Sequence, residues 1–290
     1  MKAATTHKGK KILEDRAPKI QENRKQSLFI KGRKVSQELN YFWDELAKFR
    51  YGEIQKYSKN NDFLPFESVA EVEKACKKFN CSLFTFYSHN KKRPMNVVFG
   101  RCFDFVVMEM YEFGVQNFVR ATEGGLPHPE IEPGAVPALI FQGDQWETEF
   151  SHVRSVFMDF FVGEFKGNIS PEQIQHALVF TIVEGEITYI ACRHYQVQQG
   201  ATESKLMQVS PSFDLVPRRK MLPDEAVMQK ALEKPAQDKK KKNITKNELG
   251  QVMGRVFTPK QKVNEIVPKG FRGLPKAKFE RPAEPADDAL

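Results

Sequence analysis

The alternation of apolar and polar positions divides the chain into a series of short elements. Ser27 to Gly32, SLFIKG, is a compact apolar run closed by a glycine and predicts a strand. Ser36 stands where a helix N-cap is wanted. Behind it Leu39, Trp43, Leu46, Arg50, Ile54 and Tyr57 recur at helical spacing, with Phe42 and Phe49 widening the stripe. Such a stripe is a core face rather than a cofactor contact. Asn60 to Phe66 reads as a turn region. Ser68-Val69-Ala70-Glu71 has the form of a capping box and opens a second helix with Val69, Val72, Cys76 and Phe79 on one face. Two apolar runs, Leu83 to Tyr87 and Val97 to Phe103, then predict strands. The Ser88 to Pro94 segment between them holds three consecutive cations and a proline, so it must be a solvent-facing loop. Phe105 to Val119 continues as a long β-rich run, with a bulge or register change expected over Met108 to Tyr111.

Seven glycines and prolines between Ala121 and Pro137 mark a linker or long irregular loop. The pattern then restarts. Ala138 to Gly143, ALIFQG, mirrors Leu28 to Gly32. A helix follows, with Phe150, Val153, Phe157, Phe160 and Phe161 on one face. Ser170-Pro171-Glu172-Gln173 reads as a capping box with Pro at the first helical position. Ala177 to Val183 and Ile187 to Val197 form a hairpin around Glu184-Gly185-Glu186. Leu206 to Val216 supplies a last strand. The reading is thus an α/β (α+β) body of two halves with the same element order. A basic N-terminal arm occupies 1–26, extended or loosely helical. The body spans 27–220, in halves of about 27–120 and 138–220 joined by a linker at 121–137. The tail, 221–290, is basic. Leu249, Val252, Met253 and Val256 predict a short amphipathic helix within it at about 246–256, too small to fold alone.

Charge sharpens this picture. Residues 1–34 carry 11 Lys and Arg against 3 Asp and Glu, 216–290 carry 18 against 10, and 35–215 carry 16 against 24. An acidic body between two basic arms points to a polyanionic partner, nucleic acid first. Nuclear import is the plainer role for any single lysine run. Cys76, Cys81, Cys102 and Cys192 lack paired short spacings, which fits buried thiols in a reducing compartment. No apolar run approaches membrane-spanning length, and no secretory signal is visible. Phosphate-loop, dinucleotide, nucleophile-elbow and zinc-protease motifs do not occur. His194 within a β run reads as a core residue. Glu184 and Glu186 read as solvated charge, and Asp144, Glu147 and Glu149 as helix-leading acids. An enzyme is not expected.

The residues suited to phosphate contact are Lys91, Lys92 and Arg93 in the loop, Lys31, Arg33 and Lys34 after the first strand, Arg218, Arg219 and Lys220, and Lys239, Lys240, Lys241 and Lys242 in the tail. Such contacts confer affinity and salt sensitivity, not sequence specificity. SLFIKG with Ser36-Gln37, SLFTFYSHNKKRPMNVVFGRCFD, the Arg193-His194-Tyr195 strand and Ser210-Pro211-Ser212-Phe213-Asp214-Leu215 together resemble the Brix domain, as do Gly254-Arg255 and the preceding lysines in the tail. The resemblance runs from about residue 8 to 275. It implies two pseudo-repeated halves, each similar to an anticodon-binding domain, and a non-enzymatic nucleolar assembly factor of the large (60S) ribosomal subunit. It further implies an rRNA-binding scaffold, with Arg255 as an additional contact. The implied partners are the regulator of ribosome synthesis 1 protein in a stable heterodimer, 5S rRNA, large-subunit rRNA and the two 5S-binding ribosomal proteins. No cofactor or metal is implied. The rival expectation is a protein–protein adaptor whose basic runs serve only nuclear import.

Overall fold

A computed structural model describes residues 5–18, 25–49, 53–120, 127, 137–162, 174–199, 204–235, 242–256, 258 and 260. The chain divides into two compact units, Met1–Pro235 and Ala236–Leu290.

The first unit contains helices α1 (His7–Arg16), α2 (Gln37–Lys48), α3 (Ala70–Phe79), α4 (Ser151–Phe161) and α5 (Glu225–Ala231). Its strands are β1 (Ser27–Gly32), β2 (Ile54–Asn61), β3 (Leu83–Ser88), β4 (Asn96–Phe103), β5 (Val106–Val119), β6 (Ala138–Gln142), β7 (His176–Val183), β8 (Tyr189–Gln199) and β9 (Ser204–Met221). All nine join one sheet in the order β2-β1-β3-β4-β5-β9-β8-β7-β6. The expected repeat is visible in the pairing. β1 lies parallel to β3, followed by antiparallel β4 and β5. Likewise β6 lies parallel to β7, followed by antiparallel β8 and β9. The halves meet where β5 and β9 pair antiparallel. Among the described residues, only the first half inserts a strand and a second helix, β2 and α3, between its parallel strands.

The helices cross the boundary between the halves. Phe42 of α2 meets Phe213 of β9 edge-on at 5.0 Å, and Phe160 of α4 meets Phe99 of β4 at 5.1 Å. One aromatic core therefore lies under both helices, joining Phe29, Trp43, Tyr87, Phe113, Phe157 and Phe180. The predicted faces of α2 and α4 are buried in it. On the opposite face of β1, β3 and β4, α3 closes a second core with Leu28, Ile30, Phe84, Phe86 and Val98. Phe29 and Tyr87 thus face one way and Leu28, Phe84 and Phe86 the other, as the two-residue period of a doubly covered strand requires.

Several expectations are corrected. α2 stops at Lys48, and Ile54 and Tyr57 lie on β2, paired parallel to Ser27 and Ile30. Three residues apart on a strand, they face opposite cores, so their helical spacing was coincidental. The turn region begins only after Asn61, where β2 ends. The capping box at Ser68 does not form. Val69 is the N-cap, without a side-chain hydrogen bond. The turn before it is closed by the backbone bond from Ser68 N–H to Leu64 O. Of the two forms expected for the N-terminal arm, extended or loosely helical, residues His7–Arg16 take the helical one as α1, capped where Thr6 Oγ1 accepts from Gly9 N–H at 3.1 Å. The last strand does not stop at Val216 but continues to Met221. Pro217 fits because the register with β5 shifts between Glu112 and Phe113, and a bulge tolerates a residue without N–H. The bulge expected over Met108 to Tyr111 is found at Met108, where Arg101 pairs with Glu109 but Cys102 with Val107.

In the second unit, the helix expected at about 246–256 is replaced by an antiparallel hairpin of β10 (Ile244–Lys246) and β11 (Val252–Gly254). Asn243 and Gly250 adopt φ of 65° and 77°, conformations that interrupt a helix and suit a turn. The apolar residues Leu249, Val252, Met253 and Val256 are all exposed, so no burial holds a helix in place. The 121–137 linker, apart from Pro127 and Pro137, and the short helix predicted at Ser170 lie outside the described residues.

Candidate nucleic-acid interface

The cation-bearing loop joins β3 to β4 and is held by its own polar atoms. Asn90 Oδ1 accepts from Arg93 N–H at 2.7 Å, and Asn90 N–H donates to Arg93 O. His89 Nδ1 accepts from Met95 N–H at 3.2 Å. Outside anchors complete the loop. His89 N–H donates to Lys34 O at 2.8 Å, Val115 N–H to Met95 O at 2.8 Å, and Ser36 Oγ–H to the Met95 sulfur at 3.2 Å. Lys91 and Lys92 stand exposed at its tip and form no ion pair with a described residue.

Beneath the loop lies a buried charge cluster. The Glu112 side chain is 2% exposed and takes two hydrogen bonds from Arg219, at 2.6 and 2.9 Å, and one from Asn96 Nδ2 at 2.9 Å. Arg93 lies 3.8 Å away. Burial by itself raises the carboxyl pKa. The hydrogen bonds from Arg219 and Asn96 and the charges of Arg219 and Arg93 outweigh it and hold Glu112 below the ordinary range. Arg219 also covers the Phe66 ring at 4.2 Å. Arg218, the extra residue of the β9 bulge, donates to Asn96 Oδ1 at 2.7 Å and to Pro94 O at 2.9 Å. Gly114 makes room for it, since a Cβ there would lie 2.5 Å from the guanidinium.

The predicted basic residues are thereby sorted. Because β1 and β3 run parallel, with Lys31 opposite Tyr87, their carboxyl ends bring Arg33, Lys34, Lys91, Lys92 and Arg93 to one end of the sheet. Arg33 is exposed, 3.8 Å from Asp62. Arg218 and Arg219 stand behind this cluster as its supports. Lys31 instead lies 3.7 Å over the Trp43 ring, where burial lowers its pKa. Lys220 is 3.9 Å from Glu149. Lys242 and Arg255 are exposed in the second unit, where Arg255 N–H closes the hairpin on Asn243 O at 2.7 Å. Lys239, Lys240 and Lys241 lie outside the described residues.

Sequence reasoning missed Asn96 and Glu112, although polar residues inside otherwise apolar β runs are a usable signal of a buried polar network. It also missed a second network joining the halves. Arg101 donates to Glu109 of β5 and, at 2.7 Å, to Asp159 of α4. Lys25 reaches the same Asp159 at 2.6 Å, and Tyr111 donates to Glu109 at 2.8 Å.

The Brix domain family model matches residues 32–219, the stretch that contains the whole sheet end and both supporting arginines. The chain belongs to the Brix domain family. The Brix match begins at the last residue of β1 and ends on Arg219. Curated relatives extend the similarity beyond it. The human ribosome production factor 2 homolog is 34% identical over 257 residues, covering 86% of this chain and 83% of its own length. The Arabidopsis thaliana ribosome production factor 2 homolog is 33% identical over 273 residues, covering 90% of this chain and 87% of its own length. A solved structure of a probable ribosomal biogenesis protein from Aeropyrum pernix superposes on 68% of this chain and 98% of its own, with a TM-score of 0.44 and 14% identity.

Proposed function

We propose that this Brix protein is a nucleolar assembly factor of the large ribosomal subunit that acts as an rRNA-binding scaffold rather than as an enzyme. The observation that carries the reading is the loop of Lys91 and Lys92, presented beside Arg33 and Lys34 and braced by Arg218, Arg219 and Glu112. Cations on a braced loop contact phosphate without first ordering the chain, so the entropic cost of binding is small. The relatives' shared name, ribosome production factor 2 homolog, supports the biological setting. With it come the proposed partners: the regulator of ribosome synthesis 1 protein as a stable heterodimer, 5S rRNA with its two ribosomal proteins, and the large-subunit rRNA. The face of β6 and β7 opposite α4 offers room for a protein. Ile140 there is exposed, Val179 and Thr181 are half-buried, and among the described residues no helix covers it.

The test is a titration of 5S rRNA and of an unrelated structured RNA with the full chain at several salt concentrations. Lys91→Glu with Lys92→Glu is the informative variant. Arg93 is spared, because a carboxylate there would face Glu112. Losing two phosphate contacts should weaken binding and reduce the slope of log K against log salt by roughly 1–2. An unchanged slope would remove the loop from the interface. Replacing 239–242 by an unrelated import signal addresses the tail. Full rescue of subunit assembly would leave those lysines with import alone.

A further inference from the structure

Beside the basic loop, on the α2 side, β5 leaves regular pairing. Asn117 adopts φ of 49°, and the register with β9 slips between Gln116 and Val119. Asn117 Nδ2 donates to Asp214 at 2.7 Å, which fixes the kink. The irregular segment turns Phe118 into edge contact with Phe42 at 5.4 Å and sets the Arg120 guanidinium 4.0 Å over the Tyr41 ring. Bulges of this kind re-aim side chains and gather next to functional sites. Here the kink borders a cavity of about 490 Å³ lined by Glu38, Tyr41, Met95, Gln116, Asn117 and Arg120. Tyr41 remains 36% exposed. Met95 is three residues from Lys92, so the cavity begins within ~11 Å of the phosphate-contacting tip.

The lining selects among ligands. A Tyr ring with a guanidinium over it is a stacking platform for a planar group. Glu38 disfavours a bare phosphate and instead accepts hydrogen bonds, as do the amide oxygens of Gln116 and Asn117. A base that offers neighbouring N–H donors on its pairing edge satisfies both features, and guanine, with N1–H beside N2–H, offers two to one carboxylate. We propose that this cavity receives an unpaired guanine of the RNA strand whose phosphates lie on Lys91 and Lys92. The inference rests on the RNA-binding reading above and adds base recognition to a surface otherwise blind to sequence.

The experiment uses the full chain and single-stranded heptanucleotides of uridine with one central guanosine, adenosine or uridine. Folding of each variant is checked by its unfolding midpoint. Stacking on an aromatic side chain is worth enough per base that Tyr41→Ala should weaken the guanosine oligonucleotide about tenfold with its salt slope unchanged. Tyr41→Phe should retain affinity. Glu38→Gln should bring guanosine and adenosine oligonucleotides to within about twofold of each other. The proposal is overturned if wild type does not prefer guanosine, or if Tyr41→Ala leaves affinity unchanged while Lys91→Glu with Lys92→Glu lowers it. If the loop variant binds every oligonucleotide as wild type does, the RNA-binding reading of the loop fails, and this inference with it.

Discussion

Arg219, near the end of β9, sends two hydrogen bonds into Glu112, in the middle of β5. The closing strands of the two halves thus share one ion pair, its carboxylate buried, directly beneath the basic loop. Asn96, at the foot of β4, donates to the same carboxylate, so three strands converge on a single side chain. Removing its charge tests how much of the loop depends on it. Glu112→Gln keeps the volume but leaves Arg219 and Arg93 without their counter-charge. Because both arginines are partly solvated, the expected cost is about 1–2 kcal/mol in urea unfolding. The amide of His89, bonded to Lys34 O, should exchange its hydrogen faster. Wild-type exchange there would mean the loop is braced from elsewhere.

The same carboxylate predicts an acid sensitivity. In the fold its pKa lies below the ordinary range, and in the unfolded chain it returns to about 4.3. Its contribution is therefore complete above the unfolded value and is lost as pH falls through the folded one. The stability difference between wild type and Glu112→Gln should be largest near about pH 6 and shrink toward about pH 3. Parallel stability curves over this range would contradict the assignment.

Two glycines of the first half should respond differently to the same substitution. A Cβ at Gly100 would clash with the edge of the Phe84 ring, which is itself packed in the second core. Gly100→Ala should therefore cost about 1–3 kcal/mol by overpacking. A Cβ at Gly114 meets only the far end of Arg218, a chain that can swing away. Gly114→Ala should cost less in unfolding, yet free the loop by detaching Arg218 from Asn96 and Pro94. Equal losses of stability would show that Arg218 cannot yield.

The crossing helices predict that the halves unfold together. Phe42 touches Tyr87 of the first half and Phe213 of the second. Phe42→Ala should cost about 3–5 kcal/mol and move one cooperative transition, seen alike by tryptophan fluorescence and far-UV dichroism. Trp43 lies on the first half's helix and Trp146 beside the second's. Two separated transitions would mean the halves are independent.

Much of the body was legible without coordinates. The periodicities located α2, α4 and the β meanders, because a face buried against a core must be apolar at the period of its element. Even the repeat was readable, mainly from the recurring element order. The tail was not. Val252, Met253 and Val256 have helical spacing, but a pattern specifies a helix only where something buries the face, and here the face is exposed.

The basic residues mark the boundary between what sequence and structure decide. From sequence alone, Lys91, Lys92, Arg93, Arg218 and Arg219 are equivalent candidates, since charge count and local composition treat every exposed-looking cation alike. The alternation of the chain also determined that the loop must face water. Only the tertiary structure separates lysines at the tip from arginines that serve as its props. The separation depends on β5 and β9 pairing across about a hundred residues of chain, which places Glu112 under Arg219. The same pairing kinks β5 at Asn117 and lays Arg120 on Tyr41. Long-range register is set by the sum of many weak contacts, and no local pattern encodes which two side chains it will bring together.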